Sequence, residues 1–311
     1  MADVPDEVRR LAAERDQRRA AGDFAAADEL RDRIAVLGYR VLDSPEGSAV
    51  ERTPAAGDER VRPRDVPSAL ELEPRFEASV HWLVEGSVAD VARALAAFRR
   101  HSAGRSVQYV VADVTGTAAG ALAGEADVEI VSLTDDSGWG SARNAGLRRS
   151  LGRIVIVADG SIEPTGDVVG PLEEALEDPS VGVCGPFGIV TRDLREFEAA
   201  PGPDVDAIEG YLMAFRREVL TALDGFDERF RWYRTADIEL SFRVKERGQR
   251  AVVVDLPVRR HEHRAWAAAS EDERARWSKR NYNRFLERFR GRFDLTVAGG
   301  ARDEPPGDDD A

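Results

Sequence analysis

Residues 154–163 read IVIVADGSIE, a β-branched run that stops at Asp159, Gly160 and Ser161. A carboxylate, a glycine and a hydroxyl at such a tip have two chemical uses. They make a turn, because glycine accepts positive φ and Asp or Ser side chains bond the local backbone. They also offer oxygen atoms to a ligand, since α/β sheets bind ligands outside the carboxyl ends of their strands. Asp113 closes a second run, VQYVVAD (107–113), and stands at the same kind of place. A third concentration of reactive groups follows AVVVDLPV, where His261 and His263 flank Glu262. On an extended chain side chains two apart share a face, so both imidazoles would point one way. An exposed, polar strand end is the plainer reading of that segment.

The elements that must position these groups alternate along residues 75–295. ASVHWLV (78–84) reads as a strand and VADVARALAAFRRH as the helix after it; VQYVVAD and VEIVSL (128–133) read as further strands, with a helix beginning near SARNAGL. IVIVAD is apolar without alternation, the mark of a strand covered on both faces. Such alternation predicts an α/β sheet with crossover helices. In the second half, VGVCGP (181–186), AIEGYLMAFRR (207–217) and AVVVDLPV read as strands, with a helix over about 236–247 ending at Gly248.

Around this block lie three other segments. Residues 1–47 carry apolar positions at helical spacing broken by Gly22, which predicts a helical hairpin with Asp23 as N-cap and a stripe of Phe24, Ala27, Leu30, Ile34 and Leu37. Residues 48–74, with Pro54, Pro63, Pro67 and Pro74, have linker composition. Residues 296–311 are acidic without apolar anchors and are expected to be a disordered tail.

Composition sets the outer limits. At 311 residues the chain has room for roughly two domains. The single Cys184 rules out an internal disulfide, and the first residues lack the charged and apolar regions of a secretory signal. A cytoplasmic setting is therefore expected. No apolar run approaches the ~20 residues that span a bilayer, so no transmembrane segment is expected. A formal net charge of -14 opposes loose adsorption to nucleic acid.

In order along the chain, Asp113, ARNAGL (142–147), IVIVADGS (154–161), EGYLMAFRREVL (209–220), GFDERF (225–230) and ADIEL (236–240) resemble an inverting family-two glycosyltransferase. The resemblance covers about 220 residues. It implies a GT-A fold, Rossmann-like, with a mixed and mostly parallel sheet flanked by helices, and transfer of a sugar from a nucleoside diphosphate sugar to an acceptor hydroxyl. On that resemblance Asp237 is the catalytic base, and Asp113, Arg143, Asn144, Asp159 and Ser161 bind the donor. Asp159, His261 and His263 would hold Mn²⁺ or Mg²⁺, hard or borderline ions suited to carboxylate and imidazole. The sequence departs from the family pattern twice: Ser161 stands where a second metal carboxylate is usual, and Ala236 precedes Asp237 where a glutamate is usual. Arg259, Arg260 and Arg264 offer another route, binding diphosphate directly without metal.

RRAAGDFAAADELRDRIAVLGYRVLDSPEG is similar to the carboxyl-terminal helices of cysteinyl-tRNA synthetase, with Asp23, Phe24, Ala27, Asp28, Arg31, Asp32, Gly38, Asp43 and Gly47 matching. The synthetase's nucleotide-binding signatures are absent, so aminoacylation is not implied. A protein or tRNA partner for this hairpin is the corresponding expectation, and protein contact through the Phe24, Ala27, Leu30 and Ile34 stripe is the favoured form. The alternative to catalysis is a GT-A-like nucleotide-binding or scaffold protein, without turnover, linked to translation or tRNA.

Overall fold

A computed structural model describes residues 4–37, 39–44, 47–52, 60–122, 125, 127–134 and 136–300. The chain begins with helices α1 (Asp6–Ala20) and α2 (Phe24–Val36), followed by an antiparallel hairpin of β1 (Tyr39–Ser44) and β2 (Gly47–Arg52). Asp23 caps α2 by accepting the Ala26 N–H at 3.3 Å. Val8, Leu11, Ala12, Leu30 and Ile34 form a small core of their own. The apolar stripe of α2 is thus turned inward: Ala27, Leu30 and Ile34 are buried, and only Phe24 is left exposed. A partner contact through that whole stripe is not available.

The linker expected over 48–74 is also more ordered than its prolines suggest. Residues 48–52 pair within β2, while 53–59 lie outside the described residues. Val61 bridges to Leu133, and Val66 and Ala69 are buried against the following domain. The proline-bearing stretch is held because its carbonyls accept hydrogen bonds from that domain, including Pro67 O from Arg149 at 3.2 Å.

The main unit is built on β3 (Phe76–Val84), α3 (Val88–His101), β4 (Val107–Asp113), the short α4 (Ala118–Ala121), β5 (Val128–Ser132), α5 (Trp139–Leu147) and β6 (Gly152–Ala158). After β7 (Ile162–Pro164) come α6 (Val169–Glu177), β8 (Val181–Gly185) and four short strands, β9 (Gly188–Val190), β10 (Glu198–Ala200), β11 (Asp204–Val205) and β12 (Ala207–Ile208). β13 (Leu212–Arg216), α7 (Arg217–Ala222), α8 (Ala236–Glu246), β14 (Arg250–Val253), β15 (Val258–Arg260), α9 (Arg264–Ala268), α10 (Glu271–Phe289) and α11 (Val297–Gly300) complete it.

Eight strands form one sheet in the order β11-β14-β8-β13-β6-β3-β4-β5. β6, β3, β4 and β5 run parallel, β13 is antiparallel to β6 and β8, and β14 is parallel to β8. The unbroken apolar run of β6 has a direct cause. Ile154, Ile156 and Ala158 pack on one side with α3 and α6, while Val155 and Val157 pack on the other with α5, α7 and α8. This is the mixed, mostly parallel GT-A sheet with flanking helices that the sequence led us to expect.

At the carboxyl end, residues 296–300 are not a loose tail. Thr296 is buried and the Val297 N–H donates to Asp206 at 2.6 Å. Residues 301–311 lie outside the described residues. No helix among the described residues is long and apolar enough to cross a membrane.

Candidate active site

The strand order brings one edge of the sheet together. β6 ends at Ala158, and because Leu212 at the start of the antiparallel β13 pairs with Ala158, residues 209–211 stand beside Asp159. The Asp159 N–H donates to Tyr211 O at 2.9 Å. Asp159 makes the turn read from its sequence, with one oxygen left toward the cleft. Its Oδ1 accepts the Ser161 N–H at 2.8 Å, closing the turn, and its Oδ2 faces His263 Nε2 at 3.4 Å. Burial works against ionisation of this carboxyl, but the hydrogen bond from His263, with the Ser161 N–H, outweighs it and holds the group at about 2. The Ser161 hydroxyl also lies near and favours the anion, yet its buried Oγ has no partner in hydrogen-bonding geometry.

His263 reaches this position because β15 runs antiparallel to β7, with the His261 N–H donating to Ser161 O at 2.8 Å. The expectation that both histidines join Asp159 does not hold. The regular strand ends at Arg260, so the two-residue alternation stops there. His261 Nε2 contacts Glu163 Oε2 at 2.6 Å, whereas His263 turns to cap α9, its Nδ1 accepting the Trp266 N–H at 3.1 Å. Its ring stacks on Tyr233 with centroids 4.5 Å apart.

This arrangement tests whether the residues fit a divalent cation. Among the described residues no three His, Cys, Asp or Glu side chains are grouped as a ligand set. A histidine that binds metal through one nitrogen ordinarily donates the N–H of the other to an acceptor. Here His263 Nδ1 faces a donor, which requires the neutral tautomer with its proton on Nε2, the nitrogen turned toward Asp159. Metal binding at Nε2 would therefore cost the α9 cap. Asp159 is a suitable oxygen ligand, but His261 is engaged elsewhere and Ser161 brings only a neutral hydroxyl. The donor set does not fit a tightly held cation. The Asp159 charge pulls His263 upward against the opposing effect of its burial, and full protonation would likewise break the cap.

Asp237 lies across a cavity of about 530 Å³ that Asp159 also lines. It sits in the first turn of α8, just after Thr235, which adopts φ +70°, a left-handed conformation seldom taken by a β-branched residue. Asp237 Oδ2 accepts the Gly210 N–H at 2.7 Å and Oδ1 accepts the Ile238 N–H at 2.9 Å. Desolvation raises its carboxyl above the ordinary range despite these bonds. Glu209, also in the cavity wall, is raised by burial and then by the Asp237 charge. Glu85, directly after β3, is solvent-exposed and borders Asp159 and Ser161 at the cleft edge. Glu85, Glu209, Tyr211 and Tyr233 carried no signal in the sequence beyond their neighbours' patterns.

The remaining candidates divide. Arg143 lines the cavity with its guanidinium buried at 4% exposure, an unpartnered Nε and its Nη1 on the carbonyls of His81 and Ala158 at 3.4 and 3.3 Å. No carboxylate pairs with it within 4 Å among the described residues, although Asp159 and Glu85 act on it through space. Asn144 instead clips the chain. Its Oδ1 accepts the Phe226 N–H and its Nδ2 donates to Phe226 O, both at 2.8 Å. Gly225, at φ +67°, has no room for a Cβ, which would stand 2.4 Å from Asn144 Oδ1. Asp113 is fully buried and spends its oxygens on the Thr115, Gly116 and Ala118 N–H groups, so it shapes the loop after β4 and does not line the cavity. Trp139 does line it, packed edge-on against Phe226 at 4.9 Å.

Residues 193–279, which include Glu209, Asp237 and His263, match the family described as Glycosyltransferase like family 2. The structure is similar to that of GalNAc-T7 with UDP, GalNAc and Mn²⁺ (TM-score 0.57, 15% identity, 68% of this chain and 48% of that one). It is also similar to the mannosyltransferase PcManGT from Pyrobaculum calidifontis in complex with GDP-Man and Mn²⁺ (TM-score 0.51, 20% identity, 72% and 67%). A different relationship covers a short segment. The cysteine–tRNA ligase of Caldicellulosiruptor saccharolyticus is 47% identical over 49 residues, 16% of this chain and 10% of that enzyme. That of Bdellovibrio bacteriovorus is 58% identical over 43 residues, 14% and 9%. The chain thus spans about a tenth of the curated relatives it matches and about half of the first structural relative. The chain carries a GT-A-like fold, matches the model described as Glycosyltransferase like family 2 over residues 193–279, and includes a short segment similar to cysteine–tRNA ligase.

Proposed function

We propose that the protein transfers a sugar from a nucleoside diphosphate sugar to an acceptor hydroxyl with inversion at the anomeric carbon. The observation that supports this reading is the shared cavity: Asp159, just after the carboxyl end of β6, and Asp237 both line it. Inversion needs one base opposite the leaving group. The acceptor O–H would give its proton to Asp237 as its oxygen bonds to the anomeric carbon, while the bond from that carbon to the diphosphate oxygen breaks and the nucleoside diphosphate leaves with the electron pair. Desolvation suits Asp237 to this work, because a carboxyl raised above its ordinary range is a stronger base. Two backbone N–H bonds still leave it acceptor capacity. Arg143 would supply fixed positive charge near the donor, and Asn144 and Asp113 would act indirectly by setting the loops around it.

A divalent cation enters this reading only in part. The two structural relatives hold Mn²⁺, and Asp159 is the oxygen ligand this chain would offer such an ion. The capped His263 and the Ser161 hydroxyl weigh against it. Donor binding without turnover is the second reading, supported by Ser161 and Ala236 where the family pattern has carboxylates. Incubation with UDP- and GDP-sugars, followed by NMR of the released sugar, tests the choice. Release with inverted anomeric configuration is expected; retained configuration would exclude the single displacement, and no consumption of any donor would favour the second reading.

A further inference from the structure

Beside the main cavity lies a second, of about 340 Å³, which shares the walls formed by Tyr211, Tyr233, Arg234 and His263 and adds Arg260, Trp266 and Glu262. Two guanidinium groups stand in it on aromatic supports. Arg260 lies over Tyr211 at 4.6 Å, and Arg234 over Trp266 at 4.8 Å. The nearby Arg264 is committed elsewhere, paired with Asp90 at 2.9 Å. Neither Arg234 nor Arg260 forms an ion pair within 4 Å with a described carboxylate, although the charges of both act on Glu209 and that of Arg234 acts on Asp237. Stacking fixes a guanidinium plane while leaving its edge N–H groups free, which is the geometry that suits bidentate contact with phosphate oxygens.

His263 joins the two places. It faces Asp159 on one side, stacks on Tyr233 and lies edge-on to Tyr211, the ring that carries Arg260. A diphosphate seated near Asp159 would meet that carboxylate together with Glu209 and Asp237 in the main cavity, and needs added positive charge beside it. The second cavity supplies two cations, Arg234 and Arg260, with Glu262 as the carboxylate among its own lining residues. Resting on the transferase reading above, we propose that Arg234 and Arg260 neutralise the donor diphosphate, so that donor binding does not depend on a divalent cation. The leaving nucleoside diphosphate then accepts its electron pair against fixed guanidinium charge, the role that preorganised cations fill in phosphoryl and glycosyl departures.

The test is titration calorimetry on the full chain with UDP, GDP, UMP, GMP and inorganic pyrophosphate, each in EDTA and in MnCl₂. UDP or GDP is expected to bind in EDTA within about twofold of its affinity in MnCl₂. Arg234→Ala and Arg260→Ala should each weaken the diphosphate tenfold or more, by loss of charge-assisted bonds, while changing the matching monophosphate less than threefold. Arg260→Lys, which keeps charge but not the fork, should fall between. Unchanged circular dichroism establishes that each variant is folded. Binding abolished by EDTA and restored by Mn²⁺ would overturn the proposal while leaving the transferase reading intact, as would wild-type diphosphate affinity in either alanine variant. Failure of every nucleotide and of pyrophosphate in both media would overturn both.

Discussion

Asp237 and Gly210, 27 residues apart, are joined by a hydrogen bond of 2.7 Å from the Gly210 N–H to the Asp237 carboxylate. That bond fixes the first turn of α8 against the entry to β13, and so holds Asp237 in the wall of the cavity that Asp159 also lines. A base held this way is aimed before any substrate arrives. Asp237→Ala is therefore expected to lower turnover by ~10²–10⁴ fold, the usual worth of a general base. Donor affinity, measured separately by calorimetry, should move less than about threefold. Unchanged turnover would remove Asp237 from the chemistry.

Glu209 is raised by burial and by the Asp237 charge, and the interaction is reciprocal. Turnover should fall at acid pH as Asp237 takes up its proton, at a value above the ordinary aspartate range. Glu209→Gln removes the neighbouring charge, makes Asp237 easier to ionise and should move that acid limb to lower pH. A pH–rate profile of the two proteins gives the answer; an unmoved limb would separate Glu209 from the base.

Ser161 is buried beside Asp159 with its hydroxyl unsatisfied. Ser161→Asp would place a second carboxylate there. Two like charges at that spot should lower the melting temperature in EDTA, and Mn²⁺ should restore it by binding the folded state. Wild-type protein should show little or no such response. A large Mn²⁺ stabilisation of the wild type would contradict the ligand assignment made from His263.

Asn144→Ala would orphan a buried N–H and a buried C=O of Phe226 at once. With about 1–3 kcal/mol for each of the two unsatisfied groups, a loss of about 2–6 kcal/mol is expected in urea unfolding. A change under about 0.5 kcal/mol would show that the clip is dispensable.

The amino-terminal unit has a separate core, whereas Val61 and Val66 belong with the sheet domain. A chain starting at Arg60 should keep its melting temperature and nucleotide binding. One starting at Ser68 loses the buried Val66 and should be less stable by about 1.5–3 kcal/mol. Equal stability of the two would mean that residues 60–67 add nothing to the core.

These cases show why the sequence disclosed some residues and hid others. IVIVAD was legible because a strand covered on both faces has no polar positions to spare, and its terminal carboxylate closes a turn while lining the cavity. Asp237 was singled out by the resemblance of GFDERF and ADIEL to the family pattern, since a carboxylate in a helix's first turn is ordinary by itself. The histidines misled because side-chain alternation holds only while the strand lasts, and β15 ends before His261. Asn144 and Asp113 sit in the right motifs, but their polar atoms serve the backbone. Glu209 and Tyr211 gave no local signal, since they reach the cleft only because β13 runs antiparallel beside β6. Arg234 owes its position to the left-handed Thr235 that follows it and to the ring of Trp266, a residue of another helix. Such relationships exist only once the chain is folded.

The central claim is that this cleft takes a nucleoside diphosphate sugar, and titration calorimetry of the full chain against a panel of UDP- and GDP-sugars tests it most directly. Saturable binding of at least one donor with one-to-one stoichiometry, weakened at least tenfold by Arg143→Ala, is the expected result, since that buried cation lines the cavity without an ion-pair partner. Absence of binding across the panel, or binding indifferent to Arg143 in a folded variant, would contradict it.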